Sequence, residues 1–148
     1  MGKKLWLFLA CMLMTASMAF AQKKVTGTVV DAEGAEYEDN DDRMIFFARG
    51  VLETIKKLRW TPDLIHCHGW FTGLIPLYVR TAYHDDPFFQ NSKIVYTAYN
   101  NGFSRVFDGD FVKRIAMKGL AVEQIPQLQK SSVNVDDIDR VAMANSDL

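Results

Sequence analysis

Pro62-Asp63-Leu64-Ile65-His66-Cys67-His68-Gly69-Trp70 decides the fold. Pro62 and Asp63 make a turn, the next residues form a short apolar run, and Gly69 breaks it. That is the pattern of a brief β-strand. Upstream, Met44, Phe47, Ala48, Val51, Leu52, Ile55 and Leu58 recur at helical spacing. Asn40 can cap this helix. Asp41 and Asp42 occupy its first turn, and Lys56, Lys57 and Arg59 lie near its end, as the macrodipole favours. Pro62 stops it. Downstream, a second helix is predicted over about 71–83, with Leu74, Leu77, Tyr78 and Ala82 on one face and Asp85-Asp86-Pro87 as its stop. Residues 93–99 read as the next strand, with a turn at Asn100-Asn101-Gly102. Helical patterns follow over about 110–118, 122–128 and 135–144. This alternation argues for parallel strands with helical crossovers, an α/β sheet. Two strands are few for a parallel sheet, so the expected sheet is incomplete, with flanking helices.

Composition narrows the class. The chain has 148 residues, 49% apolar and 24% charged, the balance of a globular domain and not of a disordered one. A net charge of −1 gives no reason to expect nucleic acid as a partner. The first residues look unlike the rest. Lys3 and Lys4 precede an apolar run from Leu5 to about Phe20, and Ala19-Phe20-Ala21 is a small-x-small cleavage site. This is a signal-peptide pattern over 1–21, too short for a membrane span, so no stable span is expected after cleavage. Residues 24–31 alternate and read as a short strand, with a turn at 32–34. Of the two cysteines, Cys11 lies in the leader and only Cys67 would remain, which excludes a disulfide framework. The acidic run Glu36, Glu38, Asp39, Asp41 and Asp42 lacks the spacing of a calcium loop and reads as a solvated, helix-initiating segment.

The chemistry is concentrated at His66-Cys67-His68-Gly69-Trp70, the carboxyl end of a strand, where open α/β sheets bind ligands. Alternation puts His66 and His68 on one face and Cys67 on the other. Three readings are open. His68 could donate a hydrogen bond to a ligand; the His-x-His pair could hold a metal, as in some hydrolases; or both histidines could be structural. Two ligands do not make a metal site, and His84 is the one further histidine. Cys67 reads as a small buried apolar residue. Trp70 could stack on a sugar or a base, and packing is its default role. Asn100, ending the next strand on the same side, is a candidate polar contact, with an ordinary turn as the alternative. No Gly-rich phosphate loop is present.

Residues 37–54 together with Pro62-Asp63-Leu64-Ile65-His66-Cys67-His68-Gly69-Trp70-Phe71-Thr72-Gly73 resemble bacterial starch/glycogen synthases, the glycosyltransferase family 5 enzymes. The resemblance covers roughly 33–148. It implies a Rossmann-like fold of GT-B type and places this piece in the N-terminal half of a two-domain enzyme. It also implies retaining transfer of glucose from ADP-glucose or UDP-glucose to an α-1,4-glucan, without a metal or other cofactor. The implied partners are therefore an α-glucan and a nucleotide sugar. The family motif is close to His-x-His-Asp-Trp-His/Gln-Thr/Ala-Gly/Ala, so His68, Trp70 and Thr72 match, with His68 beside the transferred sugar. Gly69 stands where Asp is usual, and Phe71 where a polar residue is usual. The family's Val-His-Asn appears as Ala98-Tyr99-Asn100, which carries Asn100 over. The Lys-x-Gly-Gly-Leu loop and the donor-binding domain have no counterpart in this sequence, so no catalytic set is complete and inactivity alone is expected. Residues 1–31 resemble instead the start of a SusC-type TonB-dependent receptor, with 22–32 as a receptor-like strand and junction. The leader implies export and the synthase-like body implies the cytoplasm. Two other functions stay open, a secreted carbohydrate-binding or interaction module and a His-x-His metallohydrolase.

Overall fold

The structure is a computed structural model that describes residues 37–100 and 105–148. The expected leader, the strand at 24–31, its turn at 32–34, Glu36, and the turn positions Asn101 and Gly102 lie outside the described residues.

The order of elements is α1 (Asn40–Lys57), β1 (Leu64–His68), a 3-10 turn (Trp70–Thr72), α2 (Leu74–Arg80), β2 (Lys93–Thr97), α3 (Phe111–Ile115), two further 3-10 turns (Val122–Gln124 and Pro126–Leu128) and α4 (Val135–Ala144). β1 and β2 pair in parallel, with His66 opposite Val95 and His68 opposite Thr97. The architecture is thus α/β, a small parallel sheet with flanking helices. Cys67, Ile94 and Tyr96 face the core, whereas Leu64, His66, His68 and Lys93 are exposed on the other face. Beyond β2, the Asp147 amide donates to the Ile94 carbonyl at 2.8 Å and the Tyr96 amide donates to the Leu148 carbonyl at 3.0 Å. The last two residues therefore run along the edge of β2. The Asp147 carboxylate also accepts from the Ile94 amide at 2.7 Å. That bond, with Arg80 and Lys93 nearby, holds its pKa below the ordinary value.

α1 buries Met44, Ile45, Ala48, Leu52 and Ile55. Phe47 and Leu58, expected on that face, lie on its flank and are 42% and 69% exposed. The start of α1 also departs from expectation. The cap position is Asp39, not Asn40, and Asp39 makes no capping bond. Its carboxylate is taken by Arg43 Nε at 2.8 Å, while Asn40 is buried as the first helical residue. Asn40 Oδ1 finds no hydrogen-bond partner among the described residues. The acidic run is not simply solvated. Asp41 is buried and meets Arg114 Nη2 at 2.6 Å, and Arg114 also binds Asp42 and Asp108. These pairs fasten the first turn of α1 to α3 and, through Asp108, to the segment leading into it.

α1 ends before Pro62 is reached. The Arg59 amide donates to the Lys56 carbonyl at 2.9 Å and the Trp60 amide to the Ile55 carbonyl at 3.1 Å. This is the Schellman pair of bonds, and it puts Arg59 at φ 52°. Left-handed backbone costs about 1–2 kcal/mol for a residue with a Cβ. Arg59 is exposed. Arg59→Gly is expected to stabilise the domain by roughly 0.5 kcal/mol, the strain relief less the added unfolded-state entropy. Urea unfolding checks this, and a loss of stability would show that the left-handed cap is unstrained.

α2 is shorter than the pattern predicts. Leu74, Ile75, Leu77, Tyr78 and Val79 are all buried, so the helix is covered nearly all round. It stops at Arg80 because the Thr81 hydroxyl donates back to the Leu77 carbonyl at 2.6 Å and the backbone leaves helical angles there. Hydrogen-bonded turns continue to Ser92. The Tyr78 hydroxyl donates to the Ile115 carbonyl at 3.0 Å and so joins α2 to the end of α3. The patterns at 110–118 and 122–128 yield only one and a half turns of α3 and two 3-10 turns. α4 has the predicted bounds, and its start is a capping box. Asn134 Oδ1 accepts from the Asp137 amide at 3.0 Å, and the Asn134 amide donates to Asp137 Oδ2 at 3.2 Å.

Candidate functional site

Both strands point their carboxyl ends the same way, so their tips make one rim. His66 and His68 stand two residues apart on the exposed face, and their rings lie 4.0 Å apart between centroids. Each is held by the neighbouring strand. His66 Nε2 is 2.9 Å from Thr97 Oγ1, and His68 Nδ1 is 2.8 Å from the Tyr99 hydroxyl. The His68 and Tyr99 rings are stacked at 6.2 Å. Asn100 follows on the exposed side of the same rim.

Gly69 turns the chain at φ 68°, a conformation glycine adopts without strain. Its amide donates to the Thr97 carbonyl at 2.9 Å, which extends the strand pairing by one bond. The Gly69 carbonyl accepts both the Thr72 amide and the Thr72 hydroxyl at 3.0 Å each. That closes the 3-10 turn and occupies the Thr72 hydroxyl.

The four residues singled out from sequence therefore divide. His68 and Asn100 are on the exposed rim. Trp70 is 8% exposed, edge-on to Phe71 at 5.5 Å and 6.1 Å from Phe107. Its ring belongs to the core, in the default packing role. Thr72 is half-buried, behind the rim. Cys67 is buried, and burial pushes its thiol up to about 11 against a smaller opposing pull from Thr72. It is a thiol at neutral pH, not a nucleophile. Among the described residues, no group of three or more His, Cys, Asp or Glu side chains is placed to hold a metal ion. No described helix is long and apolar enough to cross a membrane.

Two contacts escape the sequence reading. Tyr99 is the partner of His68, and its position two residues beyond Thr97, just past the end of β2, is the signal that could have found it. Below the rim, the Tyr96 hydroxyl donates to Asp139 Oδ1 on α4. Burial raises the Tyr96 phenol and also the Asp139 carboxyl, the latter opposed by the bond from Tyr96. This buried pair fixes β2 to α4.

The fold and rim define an α/β domain with imidazole, phenol and hydroxyl groups at the carboxyl ends of parallel strands, where such sheets take ligands. Residues 11–144 match the family described as the starch synthase catalytic domain, and the chain belongs to that family. It is 46% identical over 67 residues to a glycogen synthase of Chlorobium limicola, an alignment covering 45% of this chain and 14% of that protein. With a glycogen synthase of Geotalea uraniireducens it shares 40% identity over 88 residues, or 60% of this chain and 17% of the other. Among solved structures, the catalytic domain of starch synthase IV from Arabidopsis thaliana, bound to ADP and acarbose, superposes with a TM-score of 0.60 at 23% identity. That superposition covers 78% of this chain and 24% of the plant one, and it supports the shared fold. The chain thus spans about one-seventh of the length of the first curated relatives it matches.

Proposed function

We propose that residues 33–148 form part of the acceptor-side wall of a glucosyl-transfer site, in which His68 and Asn100 contact a sugar. The reaction served is transfer of glucose from ADP-glucose or UDP-glucose to an α-1,4-glucan. The carrying observation is the rim itself, with His68 held by Tyr99 at 2.8 Å at the carboxyl end of β1. Membership of the starch synthase family supplies the substrate class. Trp70 and Thr72 act from behind, the first by packing and the second by closing the turn that presents His68 and Gly69. The match covers 14–17% of these relatives, so the groups that complete their sites lie outside the matched segment. In a retaining transferase the main electrostatic task is to stabilise the departing diphosphate. Within this segment, Arg114 is already paired with Asp41, Asp42 and Asp108.

A polypeptide of these 148 residues is therefore expected to incorporate no labelled glucose from ADP-glucose into glycogen above a protein-free blank. Measurable turnover would overturn the reading of this segment as one wall only. For the first residues, the proposal is a signal peptide over 1–21 and a receptor-like strand over 22–32, joined near 31–34 to the synthase-like body. The family match begins at residue 11, inside the proposed leader. A long genomic read across codons 1–40 tests the junction, and a conventional synthase gene at that locus would sink it.

A further inference from the structure

Gly69 and Tyr99, the two departures at the rim from the family pattern, touch each other. A Cβ built on Gly69 would stand 3.1 Å from Tyr99 Cδ2 and 3.6 Å from Cε2. A side chain at position 69 would thus press on the edge of the Tyr99 ring, which would have to give by a few tenths of an ångström. Its hydroxyl reaches His68 Nδ1 at 2.8 Å, and the His66 ring backs His68 at 4.0 Å. The phenol is the more acidic of the two groups and the imidazole nitrogen the more basic, which favours donation from Tyr99 to Nδ1. The ring proton then sits on Nε2, on the far side of an exposed imidazole.

We infer that Tyr99 is a positioning residue that locks His68 as the Nε2–H tautomer, and that glycine at 69 is the space this requires. The rim then offers a ligand an N–H donor and not a lone pair. Such a donor suits a hydroxyl or ring oxygen, and a neutral imidazole in this tautomer cannot ligate a metal through Nε2. The ligand class rests on the sugar-contact reading above, while the tautomer does not.

The test is the ring nitrogen spectrum of His68 in 15N-labelled protein at about pH 8.5, where an ordinary imidazole is neutral. The wild type is expected to show a protonated Nε2 and an Nδ1 resonance displaced by hydrogen bonding. Tyr99→Phe keeps the ring and removes the hydroxyl, so the Nδ1 resonance should move and the tautomer population relax. Gly69→Ala should move the ring too, but it also strains the backbone at φ 68°, so Tyr99→Phe is the deciding variant. A wild-type Nδ1–H, or ring shifts unmoved by Tyr99→Phe in a protein whose amide spectrum is otherwise intact, overturns the inference. Maltoheptaose titration of the two proteins separates the two claims. A several-fold weaker affinity in Tyr99→Phe upholds both. A moved tautomer with unchanged affinity upholds the lock and sinks the sugar contact.

Discussion

Replacement of Phe111 by alanine is expected to lower the unfolding free energy by about 3–5 kcal/mol, the usual cost of emptying an aromatic site in a core. Phe111 is fully buried, and its ring stacks on Phe107 at 4.3 Å with an interplanar angle of 16°. Phe107 in turn packs on Trp70 at 6.1 Å, directly behind the Gly69 turn. The cavity would open under the rim, so the loss should be felt there as well as in global stability. Domains of this size have roughly 5–15 kcal/mol in total, which brings the alanine variant close to the threshold. Phe111→Leu is the graded control, expected to cost roughly 1–1.5 kcal/mol. Urea unfolding followed by tryptophan fluorescence reads both. A loss below about 1 kcal/mol for Phe111→Ala would mean that the stack does not carry the packing assigned to it.

Gly73→Ala should cost about 2–3 kcal/mol, although alanine is the better helix former. Gly73 has ordinary helical angles, φ −65° and ψ −19°, so conformational freedom is not the issue. The reason is contact. A Cβ there would meet Ile138 Cγ2 at 2.6 Å and the Trp70 carbonyl at 3.0 Å. Ile138 is fully buried on α4, and a β-branched side chain in a helix has little rotamer freedom with which to yield. Gly73 is therefore a point of close approach between the site turn and α4. Combining Gly73→Ala with Ile138→Ala removes the clashing methyl. The double variant should be at least about 1 kcal/mol more stable than the sum of the single effects. Simple additivity would place the strain elsewhere.

Much of the fold was legible because its signals are local. The run 64–68 between a Pro-Asp turn and Gly69 gave β1, and the run expected over 93–99 gave a parallel β2 that ends earlier, at Thr97. Val135–Ala144 matches the helix expected over about 135–144 from its apolar period, and the structure adds the Asn134 capping box at its start. The misses have tertiary causes. Asn40 looked like a cap, but Arg43 draws Asp39 away and Asn40 is buried in its place. Phe47 fitted the helical period yet lies outside the stripe set by Met44, Ala48, Leu52 and Ile55. The acidic run looked solvated because Arg114, which neutralises it, is some 70 residues away in sequence, with Asp41 at a separation of 73.

The placement of the candidate rim was legible in the sequence, and its internal contacts only half so. The strand tip, His68 and Asn100 follow from alternation and from where α/β sheets bind ligands. Trp70 and Thr72 stand behind the rim, because Phe107 claims the indole and the Gly69 carbonyl claims the hydroxyl. Neither contact has a sequence signature. Tyr99 had a partial signal in its spacing from Thr97, but its contact with Gly69 in the turn after β1 had none.

The most direct test of the central claim is a titration of the 15N-labelled chain with maltoheptaose and, separately, ADP-glucose, followed by amide and histidine ring shifts. An incomplete cleft binds weakly, and chemical-shift mapping detects weak binding. The account predicts saturable maltoheptaose shifts concentrated at His68, Gly69, Tyr99 and Asn100, smaller ones at Trp70 and Thr72, and none along the outer face of α1. Maltoheptaose shifts absent from the rim, or centred elsewhere on the domain, would contradict it.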